Sequence, residues 1–321
     1  MATVAQPIPF IIKGKTALIT GAGSGINYCF AKALVDRGCN VLIADLSLRP
    51  EAQKLVDDNQ SKPRVAFVKT DVRLWDDLSN MFDVADKEFG GADIVCPGAG
   101  VFEPHWSNYW LPPGHEKSKD DPHGRSPSGV GSYATLDINI THPIRTTQLA
   151  VSRWLNPAPT SKTGKAAPTN PKRVVAISSI AGQRPGFPFP LYIASKHAIS
   201  GFVRSMAPLE AAYGIKVNGV APGLIKTPLW TDHPEKIKTI DEELDSWTTP
   251  EEVAAQMVRC LEDEAIGAGV IWEVLQGKYR VVDWKDVKAP EGPGSGIANA
   301  KMLSDEVFEW LKEPGWGAVK K

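Results

Sequence analysis

Residues 15–27 read Lys-Thr-Ala-Leu-Ile-Thr-Gly-Ala-Gly-Ser-Gly-Ile-Asn, a short β-prone run that passes straight into a glycine-rich turn. The spacing predicts a strand over Lys15–Thr20 and a helix from Gly25 to Arg37. A glycine turn by itself is also what a flexible loop looks like. Its placement between strand and helix gives it meaning, because glycines there let the backbone approach a pyrophosphate whose charge meets free N–H groups at the helix start. Gly21, Ser24, Gly25, Ile26 and Asn27 are therefore candidate phosphate contacts.

Outward from this turn the alternation continues. Asn40–Asp45 reads as a second strand, Pro50–Asn59 as a helix, Val65–Lys69 as a strand, Leu74–Glu88 as a helix and Ala92–Cys96 as a strand. Continuous apolar strands joined by helices imply a parallel sheet covered on both faces, the doubly wound α/β class of Rossmann type. Asp45 closes the second strand, 24 residues after Gly21. A carboxylate at that place accepts hydrogen bonds from both ribose hydroxyls of an adenosine and repels a 2′-phosphate, which favours NAD over NADP. Arg49 is the nearby cation that argues the other way.

Past Val101 the pattern breaks. Residues 102–132 carry five prolines with several histidines and aromatics, and 156–172 form a second loop rich in Pro and Lys. A helix is expected over Tyr133–Leu155, then a strand over Arg173–Ser178, a helix over Leu191–Tyr213 bent at Pro208, a strand over Lys216–Val220, a capped helix opening at Thr249 and a last strand over Val270–Val274. The 28 Gly and 26 Pro of 321 residues exceed the usual share, and 14 of the prolines lie between Pro97 and Pro190. That concentration points to the two loops as the substrate side.

Composition excludes several classes. The 36 basic and 37 acidic residues leave a formal charge of −1, without the footprint of a nucleic-acid or anionic-lipid binder. No signal-like or membrane-spanning apolar stretch is present, so a cytoplasmic protein without membrane insertion is expected. Cys29, Cys39, Cys96 and Cys260 are scattered and read as reduced structural thiols. His105, His115 and His123 show no metal spacing, and no metal site is expected.

The chemistry centres on Tyr192-Ile-Ala-Ser-Lys196. Residues four apart on a helix share a face, so the Lys196 ammonium is expected beside the Tyr192 phenol. A tyrosine of pKa ~10 needs about 4 kcal/mol to act as a base near neutrality, which one charge at ~4 Å and an effective dielectric of ~20 supplies. Ser179 lies thirteen residues upstream at the end of a predicted strand, where ligands of parallel sheets bind, with Ser178 as its local competitor.

Together, TGAGSGIN at 20–27, Asp45, Thr70-Asp71-Val72, Asn139, Ser178-Ser179-Ile-Ala-Gly182, Tyr192/Lys196 and Ala221-Pro222-Gly223-Leu-Ile-Lys-Thr227 resemble the classical short-chain dehydrogenase/reductase family over residues ~14 to ~275. The resemblance implies Tyr192 as general acid/base, Ser179 polarising the substrate oxygen, Lys196 also binding the nicotinamide ribose, and Asn139 holding a relay water. It further implies that Asp71 and Val72 meet the adenine, that Gly98 and Gly100 lie along the cofactor, that Pro222, Gly223 and Ile225 bind it, and that Thr227 approaches the carboxamide or the phosphates. A homodimer or homotetramer is implied as well. Two departures stand out: Asn27 replaces a family glycine, and Cys96-Pro97-Gly98-Ala99-Gly100 replaces the family's Asn-Asn-Ala-Gly, so that hydrogen bonds made at Pro97 must be replaced.

Phe102, Trp106, Phe187 and Trp230 are candidate substrate contacts, with Phe189 and Trp247 on the same expected rim. They favour a lipophilic secondary alcohol or ketone, aromatic in character, as small-molecule partner. Within the family the chain is similar to 15-hydroxyprostaglandin dehydrogenase-like members and, more softly, to secondary-metabolism members such as 5′-hydroxyaverantin dehydrogenase, a resemblance that implies a polyketide-like alcohol. An NADPH-dependent biosynthetic ketoreductase and a non-catalytic nucleotide-binding scaffold remain open at this stage. One domain over 1–284 is expected, followed by an extension over 285–321, with a linker at Pro290–Gly294 and an apolar face at Val307, Phe308, Trp310 and Leu311 able to dock on its own body or on a sister subunit.

Overall fold

Strands with no polar face need cover on both sides, and the computed structural model, which describes residues 8–122, 131–232, 246–283 and 300–317, supplies it to the central strands. The strands are β1 (Thr16–Thr20), β2 (Asn40–Asp45), β3 (Val65–Lys69), β4 (Ile94–Pro97), β5 (Lys172–Ile177), β6 (Ile215–Pro222), β7 (Ile271–Leu275) and β8 (Lys278–Val281). They form one sheet in the order β3-β2-β1-β4-β5-β6-β7-β8, parallel except for β8. The helices are α1 (Gly25–Val35), α2 (Pro50–Asp58), α3 (Trp75–Phe89), α4 (Ala134–Leu136), α5 (His142–Leu155), α6 (Pro190–Ser205), α7 (Pro208–Tyr213), α8 (Pro228–Thr231), α9 (Pro250–Glu262) and α10 (Ala300–Lys312). Phe30 and Leu34 of α1 and Met257 and Leu261 of α9 fill one face of the sheet. Leu78 and Met81 of α3, Trp154 of α5 and Val203 of α6 fill the other. The strand order turns back at β1, which lies between β2 and β4, so the crevice for a ligand opens above the carboxyl ends of β1 and β4.

Four expectations change in the structure. The sheet does not end at β7: a turn at Gly277, with φ +64°, adds the antiparallel edge strand β8. The helix expected over Tyr133–Leu155 is interrupted by a π turn at Asp137–Thr141, which carries Asn139. The bent helix over Leu191–Tyr213 is two helices, since Pro208 has no N–H to continue α6 and instead opens α7. The loop 156–172 is not on the substrate side. It folds under the amino ends of the strands, where Lys162 N–H donates to Gly90 O at 2.8 Å and Ala166 N–H to Trp154 O at 2.8 Å.

The loop after Val101 does border the crevice. Ser107 holds it to α4 by receiving Thr135 N–H at 2.9 Å on its hydroxyl and Thr135 Oγ1–H at 2.8 Å on its carbonyl. At the other end of the chain, α10 docks on its own body: Leu311 joins the α5 side of the core, and Ser152 Oγ donates to Trp316 O at 2.8 Å. The expected linker at Pro290–Gly294 lies outside the described residues, as does His123. Burial pushes the Cys29 and Cys260 thiols up to about 12 and those of Cys39 and Cys96 higher still. No helix among the described residues is long and apolar enough to cross a membrane.

The amino edge of the sheet holds a buried charge pair. Lys172 Nζ, fully buried, lies 2.6 Å from Asp93 Oδ1 and donates to Thr163 O at 2.6 Å, while Asp93 Oδ2 receives Thr16 N–H at 3.2 Å. Removing one partner of such a pair strands the other. Asp93→Ala is expected to cost about 3–5 kcal/mol, read as a lower midpoint in urea denaturation.

Candidate active site

The crevice is a cleft of about 870 Å³. It runs from Asp45, Asp71 and Val72 at one end, past Gly21, Ser24, Gly25, Ile26 and Asn27, along Gly98 and Gly100, to Ser179, Tyr192, Lys196, Pro222, Gly223, Ile225 and Thr227. All the residues expected along the cofactor except Asn139 thus line one continuous surface. Phe102, Trp106 and Trp230 wall its far end.

The phosphate turn is shaped by contact between two backbones. Gly21 has φ +74°, and a Cβ there would stand 2.7 Å from Ala99 Cα in the turn after β4. At the start of α1, Ser24 is the N-cap but makes no side-chain cap bond, and the first turn holds no acidic residue. First-turn N–H groups without a side-chain cap are donors for an anion. Asp45 steadies the loop by receiving Gly23 N–H at 2.8 Å on Oδ2 and Ser47 N–H at 3.4 Å on Oδ1, and it lines that end of the cleft. Arg49, the cation that argued for a 2′-phosphate, pairs with Asp232 instead. Arg73, also on the cleft wall, forks onto Asp71 with three contacts of 2.6–3.2 Å and holds that carboxyl below its ordinary range.

The two departures in the motif prove to be one adjustment. Asn27 is buried and donates from Nδ2 to Gly98 O at 2.8 Å. A Cβ on Gly98 would come within 2.6 Å of the Asn27 amide carbon, so the amide of Asn27 occupies the room that Gly98 leaves. A relay of hydrogen bonds holds the other side of this segment. Ile138 O accepts from His142 Nδ1–H at 3.0 Å, which leaves Nε2 to accept from Thr20 Oγ1–H at 2.9 Å, and Thr20 Oγ1 accepts Ala99 N–H at 3.2 Å. Burial holds His142 neutral, its pKa lowered to about 4.

At the reacting end, Tyr192 and Lys196 lie one turn apart on α6, with Lys196 Nζ 5.4 Å from the Tyr192 ring centre. The ammonium donates to Ile177 O at 2.9 Å. Ser179 hydrogen-bonds the Tyr192 phenol, which lowers its pKa, but burial is the larger effect and raises it above the ordinary value. Burial also lowers Lys196 to about 8. The lysine therefore does not pull the phenol down in this structure as the sequence argument expected, because desolvation disfavours both charged forms. Ser178 is engaged elsewhere, 2.7 Å from Ser200 Oγ. Asn139, buried in the π turn, clamps the Val101 peptide, receiving its N–H at 2.9 Å and donating to its carbonyl at 2.8 Å. Gly100 keeps the space between Asn139 and Lys196 open, since a Cβ would lie 3.3 Å from one and 3.9 Å from the other.

Phe102 is the centre of the aromatic wall, with ring centres 4.5 Å from Phe189, 5.1 Å from Trp230 and 4.7 Å, edge-on, from Tyr192. Trp230 in turn meets Trp247 at 6.0 Å. Phe187 is placed differently from expectation. It is 78% exposed and stacks outside the cleft on Trp110, whose indole N–H donates to Phe187 O at 3.1 Å. The sequence reading missed His142 and Glu103. Neither sits in a motif, and each has a partner that only the fold brings near, the Thr20 hydroxyl for His142 and the Tyr192 N–H for Glu103. Among the described residues no group of His, Cys, Asp or Glu could hold a metal ion.

A Rossmann sheet with a capless anion-binding helix start and a Ser-Tyr-Lys cluster at the strand ends defines a nicotinamide-dinucleotide oxidoreductase. The family model described as short chain dehydrogenase matches residues 15–238, and the chain belongs to that family. It is 28% identical over 283 residues to the rat (Rattus norvegicus) 15-hydroxyprostaglandin dehydrogenase (NAD(+)), covering 83% of this chain and 93% of that protein. It is 30% identical to xanthoxin dehydrogenase of Arabidopsis thaliana, over 71% of this chain and 72% of that one, and 30% identical to the hydroxynaphthalene reductase-like protein Arp2 of Metarhizium acridum, over 70% and 73%. A short-chain dehydrogenase/reductase structure from Mycobacterium marinum superimposes with TM-score 0.64 at 22% identity, covering 83% of this chain and 96% of that one.

The Asn27–Gly98 contact is testable. Gly98→Ala is expected to cost about 1–3 kcal/mol by overpacking and to weaken cofactor binding, and Asn27→Gly in the same chain to return most of both. Denaturation and cofactor titration across the four proteins measure the coupling.

Proposed function

We propose that the protein is an NAD-dependent alcohol dehydrogenase that interconverts a lipophilic secondary alcohol and its ketone. The observation that carries the substrate class is the wall of Phe102, Phe189 and Trp230 set directly against the Tyr192 ring. Aromatic faces of this size favour apolar ligands and give little to small polar ones. The choice of NAD is supported by the Asp45 carboxylate at the adenosine end and by Arg49 being paired with Asp232. Relatives whose names specify NAD(+) lend the same support.

Bound NAD supplies the hydride acceptor for oxidation. The chain's own groups do the rest. The turn 21–27 binds the pyrophosphate, and Asp45 accepts from the ribose hydroxyls. Ser179 donates to the substrate oxygen, Tyr192 takes the hydroxyl proton in oxidation and returns it in reduction, and Lys196 steadies the phenolate and bonds the second ribose. The competent pair carries one proton between Tyr192 and Lys196.

In the test, the protein is mixed with NAD and either a benzylic secondary alcohol or a long-chain secondary alkanol, and reduced-cofactor absorbance is followed. Turnover is expected, with NAD binding more tightly than NADP. Tyr192→Phe is expected to lower kcat by about 10²–10⁴-fold; a variant that turns over normally refutes the mechanism. The pH dependence has a defined sign. Lys196 titrates at about 8 and Tyr192 above its ordinary value, so the singly protonated pair is most populated between them. The kcat/KM for oxidation is expected to rise through about pH 8 and to peak on its alkaline side.

A further inference from the structure

Helix α6 carries Tyr192 and Lys196, yet its own N-cap, Phe189, has no side chain able to accept from the first turn. Pro190 opens the helix without an N–H, and Tyr192 supplies one of the first-turn donors that need a partner. That partner comes from far away in sequence. Glu103 Oε2 accepts Tyr192 N–H at 2.8 Å, while Glu103 Oε1 accepts Tyr109 N–H at 3.2 Å. The residue is 1% exposed and has φ +31°, making it the single non-glycine residue with positive φ among the described residues. A buried carboxylate on a left-handed backbone is held in place only where the surroundings over-determine it, and such strain gathers at functional sites.

Its neighbours explain what it joins. Phe102, one residue before, lies edge-on against the Tyr192 ring, and Asn108 Nδ2 donates to Glu103 O at 3.3 Å to close the loop. One oxygen of Glu103 therefore holds the backbone of the general acid/base, and the other holds the loop that walls the substrate end. We propose that Glu103 is a positioning residue: it caps the catalytic helix from the substrate loop and fixes Tyr192 relative to the aromatic wall. It acts through the Tyr192 main chain, and apart from Tyr192 and Lys196 the residues expected along the cofactor stand on other elements. The inference rests on the reading of Tyr192 as general acid/base.

Two variants of similar volume separate an acceptor from a mere filler. Glu103→Gln keeps an oxygen for Tyr192 N–H, and Glu103→Met does not. With NAD and the benzylic alcohol, Glu103→Met is expected to lose about 10–100-fold in kcat, as small misplacements of a reacting group do, with the NAD dissociation constant unchanged. Glu103→Gln, which keeps the acceptor for Tyr192 N–H and gives up the one for Tyr109 N–H, is expected to lose far less. Amide hydrogen exchange of the peptide containing Tyr192 is expected to quicken in Glu103→Met only. Equal behaviour of the two variants overturns the proposal. So does a Glu103→Met protein that loses NAD affinity in step with kcat, or that does not fold, because the role is then general support. Tyr192→Phe in parallel tells the two ideas apart: if it retains turnover the acid/base reading fails, and the exchange measurement still judges the cap.

Discussion

Everything at the reacting edge depends on two turns that touch backbone to backbone. The chain leaves β1 at Gly21 and leaves β4 at Ala99, and no side chain fits between them. This contact sits where the strand order turns back, so it sets the width of the crevice. A cofactor's phosphates can approach main-chain N–H groups only because the turn is this tight. The same closeness makes every polar group behind it a buried one, and each must find a partner. Thr20, His142 and Asn27 are those partners, one set on each side of the Gly98–Ala99 segment.

The fold was legible because its signals are local. Glycines in a strand-to-helix turn, apolar strands without a polar face, and a Thr249 cap that does receive Glu252 N–H at 3.1 Å all act within a few residues. The Ser-Tyr-Lys cluster was legible because helical spacing and strand ends fix where those side chains go. What was not legible depends on partners distant in sequence. Phe187 and Phe189 are two apart in the same segment, yet one faces solvent and the other the cleft. The two proline-rich loops look alike in composition but leave opposite ends of the sheet, since one follows the carboxyl end of β4 and the other precedes the amino end of β5. The π turn at Asn139 has no sequence mark, and the Val101 peptide that its amide clamps lies 38 residues upstream.

Electrostatics at the site follow from burial before they follow from pairing. Tyr192 and Lys196 are both withdrawn from water, and each is moved toward its neutral form. The sequence argument counted the charge on Lys196 and left out what withdrawing both groups from water costs.

The four thiols have a consequence of another kind. All are free, and burial holds each far from its thiolate, the form that reacts. Cys29 is the one of the four that is partly exposed, and its thiol donates to Glu251 Oε1 at 3.4 Å. A single cysteine introduced at the exposed Phe187 position, beside Trp110 and outside the cleft, would be a more accessible handle than any of them. A fluorophore attached there would report on the loop that carries Phe102.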